Sequence, residues 1–71
     1  MKRASVVSSN IASIGYNLEQ QILEIEFLNG SVYQYSGVPE SLYLGLMSAS
    51  SHGSYFDSYI KKGGFSYRRI H

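Results

Sequence analysis

Residues 21–36 write out a β-hairpin. Leu23, Ile25 and Phe27 alternate with Glu24 and Glu26, Asn29-Gly30 interrupts, and Val32-Tyr33-Gln34-Tyr35 resumes the alternation. A period of two is the spacing of a strand with one buried face, and Asn-Gly signals a turn because both residues tolerate positive φ. Two registers satisfy this hairpin. A two-residue Asn29-Gly30 turn sets Phe27 against Val32 and puts Tyr33 and Tyr35 on the face of Glu24 and Glu26. A three-residue Leu28-Asn29-Gly30 loop with a glycine bulge sets Ile25 against Tyr33 and Leu23 against Tyr35, because a slip of one residue exchanges the faces. Only the second gathers Leu23, Ile25, Phe27, Tyr33 and Tyr35 on one apolar face, and consistent patterning favours it.

The flanking segments extend this hairpin into an α+β fold. From Ile11 to Tyr16, Ala12, Ile14 and Tyr16 alternate against Ser13 and Gly15, which predicts an earlier strand and a three-stranded antiparallel meander. Val38-Pro39 opens a helix, with proline at the first position where its missing N–H is not needed, and Leu42, Tyr43, Leu46 and Met47 form its apolar stripe. A polar break over 48–53 follows. Ser54 with Asp57 three residues on resembles a capping box for a second helix, whose stripe is Tyr55, Phe56, Tyr59 and Ile60. Gly63-Gly64 ends it. Residues 65–70 then form a short terminal strand or extended tail, with Phe65, Tyr67 and Arg69 on one side and Ser66, Arg68 and Ile70 on the other. Two short C-terminal helices packed on one face of the sheet are expected.

Seventy-one residues allow one core, so a single domain over residues 1–71 is expected. A chain of this length buries only about 60% of the surface that its unfolded form exposes. Small domains often gain stability from disulfides, metals or partner subunits, and this chain has no cysteine. That absence fits a reducing, cytoplasmic compartment. Ser5, Ser8, Ser9 and Asn10 break any apolar signal region after Lys2-Arg3, and no uncharged apolar run reaches the roughly 20 residues of a membrane helix. Charge is uneven along the chain. Glu19, Glu24, Glu26 and Glu40 make the middle acidic, while Lys61, Lys62, Arg68 and Arg69 against Asp57 make the last third basic. A net charge of +1 is far from the strongly basic balance of most nucleic-acid domains.

Catalytic and metal signatures are missing. Thirteen serines, Asp57 and two histidines supply the residue types of a hydrolytic triad, yet neither His52 nor His71 has a G-x-S-x-G or HExxH context. A surface or capping histidine is the expectation for both. Two distant histidines without a thiol do not make a ligand set, and the glycines occupy turns rather than a phosphate loop. Gly64-Phe65-Ser66-Tyr67 resembles the core of an RNP1 signature, but Gly63 and Arg68 occupy flanks that need a basic and an aliphatic residue. No enzyme, no metal and no cofactor are expected.

Taken in order, Ser8-Ser9, Ile11, Ile14-Gly15-Tyr16, Phe27, Asn29-Gly30, Val32-Tyr33-Gln34-Tyr35, Val38-Pro39, Tyr43, Ser51, Gly53, Tyr55-Phe56, Ile60 and Tyr67 resemble the KTSC domain family. The likeness spans nearly the whole chain, and its most distinctive part is Tyr-x-Tyr followed by Val-Pro. That family takes its name from the C-termini of lysyl-tRNA synthetases, and it also occurs as short stand-alone bacterial and phage proteins. The resemblance implies an RNA-binding role. Two positions depart from the pattern: Asp57 stands where asparagine often follows the Tyr-Phe pair, and Gln34 places no charge between the tyrosines. The first weakens an anion site near the second helix, and the second weakens a phosphate contact at the central motif.

Two functional classes follow. In the first, a non-catalytic accessory module holds single-stranded RNA or DNA, with Lys61, Lys62, Arg68 and Arg69 on phosphates and Tyr67 or Phe65 stacked on unpaired bases. In the second, an exposed strand edge or aromatic patch binds another protein or a second copy of the chain. Tyr33, Tyr35, Val38 and Pro39, the centre of the family-like motif, are expected to be structural.

Overall fold

The computed structural model describes residues 1–71. Five strands form one antiparallel sheet in sequence order: β1 (Ala4–Ser5), β2 (Ile11–Asn17), β3 (Ile22–Phe27), β4 (Val32–Ser36) and β5 (Ser66–Arg69). Helix α1 spans Glu40–Ser48, and α2 (His52–Tyr55) continues directly into a π-helical segment, Phe56–Lys61. The sheet is therefore larger than the meander read from the sequence. The terminal strand forms, and β1 adds an unforeseen edge that is too short and too polar to leave a period in the sequence.

The hairpin adopts the bulged register. Ile25 lies opposite Tyr33 and Leu23 opposite Tyr35, and the Gly30 amide donates to the Phe27 carbonyl at 2.9 Å with Gly30 at φ +90°. Glycine is needed there because a side chain would clash at that φ. The alternation expected for β2 is interrupted, since Ile11 pairs with Phe27 while Ser13 already pairs with Glu26. One extra residue, Ala12, bulges out and returns Ile11 to the side of Ile14. Both isoleucines are fully buried.

Ile11, Ile14, Leu23, Ile25 and Tyr35 meet Leu46, Phe56 and Ile60 from the helical layer. Each buried aliphatic or aromatic side chain contributes about 1.5–3 kcal/mol. Val38, also in this core, sits just before α1, where the Tyr16 hydroxyl donates to its carbonyl at 2.5 Å. The Tyr16 ring stacks on Tyr43 with centroids 4.7 Å apart. Pro39 is the residue before the first turn of α1 rather than its first member, with extended backbone (ψ 153°). The cap of α2 is Ser51, whose hydroxyl accepts from the Ser54 amide at 3.2 Å; the Ser54–Asp57 capping box does not form, because the helix begins at His52, three residues before the apolar stripe. His52 caps instead, its Nδ1 lying 2.8 Å from the Leu46 carbonyl at the end of α1.

The opposite face carries a polar row. Gly15, Glu24, Gln34 and Arg68 are successive neighbours across β2, β3, β4 and β5. With no side chain at Gly15, the Arg3 side chain crosses β2 and pairs with Glu24. Gln34 donates to the other Glu24 oxygen at 2.8 Å, and Arg68 reaches Gln34 at 3.4 Å. Glu24 is 4% exposed. Burial works to raise its pKa, but hydrogen bonds from Gln34 and Arg3 and the Arg3 charge outweigh it, so the carboxyl titrates below its ordinary range. A depressed folded pKa gives stability that is present above the unfolded value and is lost as pH falls through the folded one. Acid unfolding followed by circular dichroism should therefore steepen below about pH 4, and Glu24→Gln should flatten that limb. An unchanged limb would mean that other carboxylates set it.

Candidate nucleic-acid interface

The face of the sheet that carries the helices is not fully covered. Rows Leu23–Tyr35–Tyr67 and Ile25–Tyr33–Arg69 run across β3, β4 and β5, and the helical layer covers the β3 end of these rows while leaving all four residues of β5 exposed. An open groove of about 710 Å³ results, floored by Phe27, Tyr33, Tyr35, Phe56 and Tyr67. These rings form one network. Tyr33, Tyr35 and Tyr67 stand 5.5–6.4 Å apart by centroid, and Phe56 meets Tyr35 edge-on at 5.3 Å. Such spacings are those of favourable aromatic pairs.

Each ring has a distinct position. Tyr35 is 6% exposed and belongs to the core, Tyr33 is half-buried, and Tyr67 is 65% exposed at the sheet edge. Burial first, then the charges that Tyr33 and Tyr67 would carry when ionised, push the Tyr35 pKa up to about 12. Its hydroxyl therefore remains a proton donor throughout the physiological range. Asn10 and Asn29 edge the groove at its hairpin end. The Asn29 carbonyl oxygen accepts from the Ser31 amide at 3.0 Å and the Ser31 hydroxyl at 2.6 Å, and the Asn10 carbonyl oxygen accepts from Ser8 at 3.1 Å. Their NH₂ groups remain available as donors.

The five residues expected to contact nucleic acid divide between the two faces. Lys61 and Tyr67 line the groove together, and Arg69 shares the face of Tyr33 and Tyr67. Lys62 lies just past the π-helical segment, with its ammonium 3.2 Å from the Asp57 carboxylate, which also lies 3.9 Å from Lys61. Arg68 points to the other face and joins the polar row through Gln34. The groove residues Asn10, Asn29, Phe27 and Phe56 were not singled out by sequence as binding candidates. Turn chemistry accounts for Asn29, Asn10 stands only among the polar residues that interrupt the N-terminal segment, and apolar periodicity accounts for the two phenylalanines, so none carries a separate functional signal. No three His, Cys, Asp or Glu side chains converge, and no helix is long and apolar enough to cross a membrane.

Comparison with known proteins gives a consistent neighbourhood. A family model for the KTSC domain matches residues 7–65. An uncharacterised protein of Stutzerimonas stutzeri is 43% identical over 70 residues, which is 99% of each chain. A segment of the lysine–tRNA ligase of Nostoc punctiforme is 40% identical over 62 residues, covering 87% of this chain but 11% of the ligase. Among solved structures, a KTSC domain protein from Yersinia pestis has a TM-score of 0.90 at 48% identity, with 99% of this chain and 97% of that one aligned.

Proposed function

The chain belongs to the KTSC domain family, and we propose that it acts as a non-catalytic binding module for single-stranded nucleic acid, with RNA as the principal ligand. The observation that carries this reading is the exposed Tyr67 ring at the sheet edge, on the same face as Arg69 and beside Lys61 across an aromatic groove. A stacking ring flanked by solvated cations is the combination that single-stranded nucleic acid requires. Lysine–tRNA ligases containing a similar segment support RNA over DNA.

Placement of the cations refines the expected salt dependence. With Arg68 on the far face, Lys61, Lys62 and Arg69 remain to neutralise phosphates. Affinity for a single strand should fall with salt at a log–log slope of about −2, rather than the −3 that four contacts would give. Joint replacement of Lys61 and Lys62 by Glu should weaken binding at least tenfold and bring the slope to about −1. Both side chains are more than two-thirds exposed, so the thermal midpoint should change little. Labelled single-stranded RNA and DNA, titrated at two salt concentrations alongside melts, provide the test. Binding indifferent to salt would rule out the phosphate mechanism.

A second reading has one specific support. β5 is an edge strand whose outer side is unpaired, and such edges accept strands from other proteins. Consecutive arginines at 68 and 69 instead oppose edge pairing with a second copy, as charged edge residues commonly do. Light scattering should accordingly find a monomer, and a concentration-dependent dimer would favour the protein-interaction reading.

A further inference from the structure

We infer that the groove is a receptacle for one nucleotide, its base laid against Tyr67 and Tyr33, its phosphate drawn to Lys61, and an acceptor atom held by the Tyr35 hydroxyl. This rests on the nucleic-acid reading above and adds the unit of recognition: a chain end or an unstacked nucleotide, rather than a length of polymer.

Tyr35 is the principal observation. Its side chain is more than nine-tenths buried, yet among the seven tyrosines only the Tyr16 hydroxyl finds a partner within the protein. The hydroxyl oxygen itself is not sealed from solvent: it opens into the groove, where it stands as a donor with no partner in the protein. With its pKa near 12 the group is always a donor, so its complement is a carbonyl, ring-nitrogen or phosphate oxygen acceptor. The free amide donors of Asn10 and Asn29 at the hairpin end make the same demand. Nucleobases and phosphates are rich in acceptors.

Size sets the number of nucleotides. About 710 Å³ lies in the range of small-ligand sites, and the whole molecule measures 27 × 25 × 21 Å. Folds that track a single strand engage about 4–16 nucleotides, which this groove cannot line. The floor is held rigidly: Tyr35 and Phe56 belong to the core, and the hairpin fixes Phe27 and Tyr33. Tyr67, at 65% exposure, is the ring with freedom to close over a base.

The test titrates AMP, GMP, CMP and UMP separately into the full chain, reading tyrosine fluorescence, which is unobscured because the chain has no tryptophan. Each nucleotide is then used to displace a labelled RNA oligonucleotide. At least one should quench the tyrosines with one-to-one stoichiometry and displace the oligonucleotide. Tyr35→Phe should weaken that nucleotide about five- to tenfold, the value of one hydrogen bond, and leave the melting midpoint in place because no protein partner is lost. If the oligonucleotide binds but no mononucleotide quenches or competes, the single-nucleotide site is refuted while the module's function stands. Tyr35→Phe that lowers the midpoint without changing affinity would also refute it. Nucleotide binding without oligonucleotide binding would support the groove and remove the polymer reading, and no binding of either kind would overturn both.

Discussion

Replacing Tyr35 by alanine is expected to cost about 3–5 kcal/mol, the range for removing a large side chain from a packed core. The ring is 6% exposed and touches Tyr33, Phe56 and Tyr67, so the cavity would open at the junction of sheet and helical layer. Small domains have total stabilities at the lower end of about 5–15 kcal/mol. Urea denaturation should therefore show Tyr35→Ala with most of its stability gone at 25 °C. Tyr33→Ala is expected to cost only about 1–2 kcal/mol, because the half-buried ring already meets water at the groove and its removal leaves a site that can refill. The hairpin register alone treats the two tyrosines alike. A Tyr35→Ala variant melting with the parent would show that the ring does not anchor the core.

That contrast also marks how far the sequence could be read. The register was legible because a misregistered hairpin would put Tyr33 and Tyr35 beside Glu24 and Glu26, a conflict that binary patterning exposes. The alternation of Tyr67 and Arg69 against Arg68 along β5 was legible for the same reason. The bulge at Ala12 was not, since an extra residue shows only in the pairing with β3, and its result is that Ile11 and Ile14 share a face at a spacing that no simple period predicts. The helical stripe Phe56 and Ile60 is buried as expected, whereas Tyr59 is 56% exposed, because the π-helical turn and the small helical layer cover less than the stripe offers. The groove was least legible. It exists where a short helix fails to cover a sheet edge, and its residues come from the segment before β2, the hairpin, β5 and the π-helical segment, which sequence spacing does not relate.

The polar row supplies the second large effect. Arg3→Ala is expected to destabilise the fold by about 2–4 kcal/mol near pH 7, because it strands a Glu24 carboxylate that is 4% exposed. The lower part of the range for breaking a buried pair applies, since the Arg3 side chain keeps 28% of its exposure and Gln34 still donates to the carboxylate. Gly15→Val should produce much the same loss by a different route. A Cβ at position 15 would lie 2.8 Å from the Lys2 carbonyl oxygen and 2.9 Å from the Arg3 side chain, too close for either to stay, so residues 1–3 would lift off the sheet and Arg3 would lose its reach. If both variants act by breaking one ion pair, their effects cannot add, and the double variant should be less stable than either single one by under about 1 kcal/mol. Acid provides an internal control: the pair's contribution is lost as pH falls through the depressed folded pKa of Glu24, so all three variants should converge on the parent's stability only at pH below that folded value. Additive losses in urea, or a cost that persists in acid, would show that Gly15 is needed for packing of the chain itself and that the Arg3–Glu24 pair contributes little to the fold.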